Sequence, residues 1–213
     1  MLGIEDTLCL LDLFVEASYF RTSFPYLLII CLCMIILGTE NDFSVFVVLR
    51  YKSRKSLWRR QTCRALLLSG IITVAEVIVL LGYAVSCKLT KCNWDIVGSY
   101  FFLNMQRTLH INWHSCLLVY VFSVFLFSFG SMVFYIINRW IFNIPVASWF
   151  SLNILFYFEY YSKYTFFYQN LYLKYEDWIE CFVWNKLLTA LLIIIGLLGI
   201  GEWFSYKKEF YVG

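Results

Sequence analysis

The chain has 213 residues, of which 62% are hydrophobic, 21% aromatic and only 15% charged. Water-soluble domains carry about 25% charged and about 45–50% apolar residues, so a soluble globule of this size would lack the polar surface to cover itself. The net charge of +3 is mild, but seven of the 17 Lys and Arg residues (Arg50, Lys52, Arg54, Lys55, Arg59, Arg60 and Arg64) crowd into one short stretch.

These features predict an all-α, polytopic helical membrane protein, a single transmembrane domain over residues 1–213. Residues 1–20 hold Glu5, Asp6, Asp12 and Glu16 and no Lys or Arg, the reverse of the basic start of a secretory signal. Leu2, Leu8, Leu11 and Val15 share a helical face there, so an amphipathic helix on the outer membrane surface is expected. As a span it would place four carboxylates in hydrocarbon, at about 2.5–3.5 kcal/mol each.

Five spans are expected, over 22–39, 65–87, 115–138, 140–158 and 187–201. The first is entered at Pro25, the second is interrupted only by Glu76, and the third is uncharged. Pro145 stands near the start of the fourth, where a proline costs no helical hydrogen bond. The fifth is short and lengthens if Lys186 snorkels toward the headgroups. An ionised Glu76 in hydrocarbon is costly, so it is expected to face the bundle interior or water. Both a packing role and a role in substrate passage fit it.

Between the first two spans, residues 40–64 run from an apolar patch with Phe43 and Phe46 into the basic stretch, with Tyr51 and Trp58 among the charges. One reading is an orientation anchor. The other is a helix that docks a cytoplasmic partner through Phe43, Phe46, Arg50, Tyr51, Arg54, Lys55, Trp58 and Arg59. Nucleic acid is not an expected partner, because the basic run is wedged between apolar segments; membrane lipid is. Basic loops stay in the cytoplasm, which places the amino terminus outside a cell membrane and the carboxyl terminus inside. Alternation then puts 88–114 and 159–186 outside and Arg139, Lys207 and Lys208 inside.

Residues 157–186 interleave charges with rings, including Tyr160, Tyr164, Phe167 and Tyr168. Tyr and Trp favour the interface, where one end of the ring is apolar and the other wet. An outer interfacial segment is therefore expected, read either as an aromatic belt or as an outer gate.

Catalytic signals are sparse. His110 and His114 would share a helical face, with Cys116 nearby, but no HExxH motif follows. A zinc enzyme built on them ranks last, and no cofactor, metal or enzyme activity is expected. The eight cysteines form no CxxC pair. Cys87 and Cys92 would form a disulfide only in an oxidising exterior.

The segment from Gly38 through Arg50-Tyr51-Lys52-Ser53-Arg54-Lys55-Ser56-Leu57-Trp58 resembles the inner loop of small type-2 ABC exporter permeases of Gram-positive bacteria. The resemblance implies a permease that pairs with itself or another membrane subunit and is driven by a separate cytoplasmic ATP-binding cassette subunit. The 40–64 loop would be its coupling helix, and a peptide or amphiphile its cargo. No GxxxxGK[ST] motif is present, so ATP hydrolysis is expected to belong to the partner. Such permeases have six spans with both termini inside, whereas this chain reads as five. That departure keeps a second reading open: a non-transporting accessory, immunity or sensor subunit that binds partners in the bilayer.

Overall fold

A computed structural model describes residues 8–18, 23–43, 53–142, 144–161, 166–180 and 182–207. Regular structure among them is helical, apart from one isolated bridge pair between Cys9 and Thr90. The helices are α1 (Leu10–Ala17), α2 (Ser23–Thr39), α3 (Arg54–Ser86), α4 (Tyr100–Met105), α5 (Trp113–Phe142), α6 (Pro145–Tyr161), α7 (Tyr175–Ile179) and α8 (Val183–Lys207). Short 3-10 turns cover Glu40–Phe43 and Tyr168–Asn170.

Four stretches are long and apolar enough to cross a bilayer: Pro25–Phe43, Arg54–Ser86, Trp113–Phe142 and Val183–Tyr206. The chain is an all-α membrane protein. α5 is the axis: 67% of its spanning window is buried, against 22% in α3 and in α8. A helix apolar on every side belongs inside, and α2, α3, α6 and α8 pack around it. The outer faces of α3 and α8 expose Leu67, Ile71, Ile78, Leu188, Leu192 and Ile195, as a hydrocarbon solvent permits.

α3 begins at Arg54, eleven residues before the expected span. Its N-cap Ser53 accepts the Ser56 amide at 3.2 Å, and Arg, Lys and Gln are good helix formers. Hydropathy marks only the part of a helix that meets hydrocarbon. At 33 residues α3 is about 50 Å long, some 20 Å more than the hydrocarbon core. The excess is the basic first turns.

The bundle thus has a basic end and a capped end. At the capped end α1 is amphipathic, but its apolar face lies on protein rather than on the membrane surface. Leu10, Leu11, Phe14 and Val15 are buried, and Phe14 stacks on Tyr120 of α5 at 4.8 Å. Leu2 lies outside the described residues. Asp12 turns inward because three donors await it: the Cys9 amide at 3.0 Å, Trp94 Nε1 at 2.8 Å and the Tyr175 hydroxyl at 3.2 Å. Burial nevertheless holds its carboxyl above the ordinary value. Trp94 stacks on Phe101 at 4.5 Å and meets Tyr175 edge-on, closing the cap.

The fourth crossing differs most from expectation. Pro145 cannot donate the amide that would continue α5, so α6 starts there and runs back along α5. It has 17 residues and reaches about 25 Å, short of the hydrocarbon core of about 30 Å. Its last turns, with Phe156 and Glu159, are level with the middle of α5. Tyr168 links the two there, with ring centroids 5.2 Å from both Phe156 and Phe127. Residues 166–173 then climb from that level toward the cap. The Tyr168 hydroxyl meets Ser131, the Leu171 carbonyl accepts from Ser123, and the Leu173 amide donates to Ser18 of the cap. α6 and residues 166–173, with their 3-10 turn, together cover the height from the basic end to the cap. Residues 166–173 therefore do not lie in an outer interfacial layer; they thread through protein.

Candidate functional site

Non-helical backbone at membrane depth survives only where protein supplies its hydrogen bonds. Here Glu159 supplies them. Its Oε2 accepts the amides of Phe167 at 3.0 Å and Gln169 at 3.2 Å, while the Gln169 side-chain amide donates to the Glu159 carbonyl. The residue is fully buried, and its second oxygen, Oε1, has no hydrogen-bond partner among the described residues. The carboxylate thus holds the strand: without it, two buried amides would lose their acceptor.

The strand is also keyed by shape. A Cβ on Gly130 would lie inside the Phe167 ring, so the glycine is what lets that ring press against α5 at mid-height. Small residues allow such close approach in membrane bundles. Phe167 and Tyr168, expected at an outer gate, are both buried in the bundle interior. Tyr164 and the side chain of Tyr160 lie outside the described residues. Glu159 itself went unselected in the sequence, although it is the one carboxylate in the apolar run of α6.

At the basic end, Phe43 and Trp58 turn inward. Phe43 lies under the Arg139 guanidinium, 4.6 Å from its centroid, and edge-on to Trp140. Trp58 is only 3% exposed and fills the space that a Cβ on Gly201 of α8 would need. Around it Lys55 and Arg59 pair with Glu202 at 2.7 and 3.5 Å. Arg64 pairs with Asp42 at 2.6 Å and donates to the Gly38 carbonyl at 2.7 Å; Arg139 pairs with Glu40 at 2.9 Å. The Trp140 indole donates to Gln61 at 2.8 Å. α2, α3, α5 and α8 are thereby tied together over the basic end of the bundle. Arg54 is half-buried in the first turn of α3, and Phe46, Arg50 and Tyr51 lie outside the described residues.

Glu76 is half-buried and opens on a cleft between α2 and α3. A larger groove of about 820 Å³ runs between α2 and α6, walled by Ile29, Trp149, Phe150, Tyr157, Phe158 and Tyr161. The histidine pair is not assembled: α5 starts at Trp113, so His110 and His114 do not share a helix, and His110 instead faces Asp95 at 3.8 Å. No cluster of His, Cys, Asp and Glu able to hold a metal occurs among the described residues. Cys87 is exposed, Cys92 half-buried, and both are free thiols.

Comparison with protein-family models, curated proteins and solved structures gives no match.

Proposed function

We propose that this chain is the permease-type membrane subunit of an ATP-driven ABC exporter for a peptide or amphiphile, with its basic end in the cytoplasm. The reading rests on α3. One continuous helix carries the basic turns beyond the hydrocarbon and then crosses the membrane. Trp58 against Gly201, with Lys55 and Arg59 on Glu202, ties those turns to α8. A cytoplasmic ATPase that presses on the segment before Arg54 would move α3 and α8 together, and α6 with residues 166–173, packed on the same bundle, would shift with them.

The test is co-purification. A cytoplasmic ATPase is expected to come down with the wild-type chain and to be lost from the double variant Arg54→Glu, Arg59→Glu. Losing the exposed Arg59–Glu202 pair costs the fold little, and a melting measurement on the variant checks that the half-buried Arg54 position tolerates the change. Recovery of the chain alone with full activity would refute the reading. The aromatic groove between α2 and α6 favours a second reading, an accessory or immunity-type subunit that holds a partner segment in the bilayer. ATP-dependent flux in vesicles containing chain and ATPase separates the two, because only the permease gives it.

A further inference from the structure

We propose that Glu76 is a binding site for the ammonium head of a cationic amphiphile, within the membrane and open to the side between α2 and α3. Glu76 lies twelve residues from both Arg64 and Lys88, about 18 Å along the helix from each. In a core of about 30 Å that lies inside the hydrocarbon. A lone carboxylate at that depth needs a proton or a cation. None of the ion pairs among the described residues includes Glu76, and α2 carries no charged side chain at all.

The second observation is Tyr120. It is fully buried on α5, faces the Glu76 carboxylate, and its hydroxyl closes no hydrogen bond of normal length. An ammonium group seated in the cleft would donate to the Glu76 carboxylate that lines it, while Tyr120 holds that carboxylate from the bundle side. The cleft holds about 190 Å³, roughly the liquid volume of six waters, and is lined by Tyr26, Leu27, Ile30 and Glu76. That admits a head group and its first methylenes, not a whole chain. Tyr26 is 71% exposed, so the cleft opens away from the bundle. The tail would lie along the exposed apolar residues Ile78 and Val79 of α3. An anion would be repelled, and a neutral chain would leave the carboxylate uncompensated.

The site gives the permease reading a cargo chemistry and rests on that reading only for the cargo's onward movement. Binding is therefore measured without ATP or a partner: radiolabelled dodecylammonium against the full chain in nanodiscs, with dodecanol as the uncharged control. Saturable binding to wild type is expected, about ten- to hundredfold weaker in Glu76→Gln and retained in Glu76→Asp. Tyr120→Phe should weaken it by a smaller factor. Equal binding to wild type and Glu76→Gln, equal binding of dodecanol, or no saturable binding would overturn the assignment. Loss of binding with an intact ATPase complex would refute this site alone; intact binding without an ATPase would refute the permease reading alone.

Discussion

Replacing Glu159 by Ala is the sharpest test of how residues 166–173 are held. The substitution removes the acceptor of two buried amides, those of Phe167 and Gln169. Each orphaned amide costs about 1–3 kcal/mol, so the ordered strand should lose about 2–6 kcal/mol. Opening of residues 166–173 then becomes at least about 30-fold more frequent, at 1.4 kcal/mol per tenfold. Hydrogen–deuterium exchange by mass spectrometry reads this on one peptide, in nanodiscs, while peptides from the middle of α5 serve as the reference. Glu159→Gln keeps one oxygen in place and loses only the charge reinforcement, about 1 kcal/mol, so its strand should stay largely protected. If residues 166–173 exchange equally slowly in wild type and Glu159→Ala, the carboxylate does not hold the strand.

Two further outcomes follow from other contacts. Gly201→Val should force Trp58 out of its seat and destabilise the bundle by about 1–3 kcal/mol; in a Trp58→Ala background the same change should cost much less, a coupling that a double-mutant cycle of melting measurements reads directly. Asp12 carries the pH dependence of the cap. Because burial raises its carboxyl above 3.8, the folded state holds the proton more tightly than the unfolded one. The stability it contributes is complete below that value and is lost as pH rises through the folded one. Wild type should therefore lose melting temperature relative to Asp12→Asn as pH climbs above 3.8; a difference that stays constant or changes sign contradicts the burial argument.

The spans were legible where charge ends abruptly. Residues 22–39 were expected and Ser23–Thr39 is found, because a bilayer rejects charge and the helix there stops with the apolar run. α3 was read short for the complementary reason: Arg54 to Arg64 are poor in hydrocarbon but good in a helix, and only the first property shows in hydropathy. The fourth crossing was read as a plain span because its apolar length was nearly sufficient. What hid the break is the double nature of Tyr and Phe, which suit a membrane interface and a protein interior equally. Phe167 and Tyr168 carry no mark that distinguishes the two; the mark lies on Glu159, a lone carboxylate placed where two amides eight and ten residues later return to it. Trp58 was expected to meet a partner from outside. Its seat against Gly201 depends on a residue far along the chain, which no local pattern announces.

The orientation of the basic end underlies the whole functional account, and two exposed thiols, one beside the basic turns of α3 and one at its far end, report on it. Cys63 and Cys87 are about 36 Å apart along the helix, and both are exposed. In intact cells carrying variants with only one of these cysteines, a membrane-impermeant maleimide should label Cys87 and leave Cys63 unmodified until the membrane is opened. Labelling of Cys63 in intact cells, with Cys87 protected, would place the basic turns outside and remove the cytoplasmic ATPase from the account.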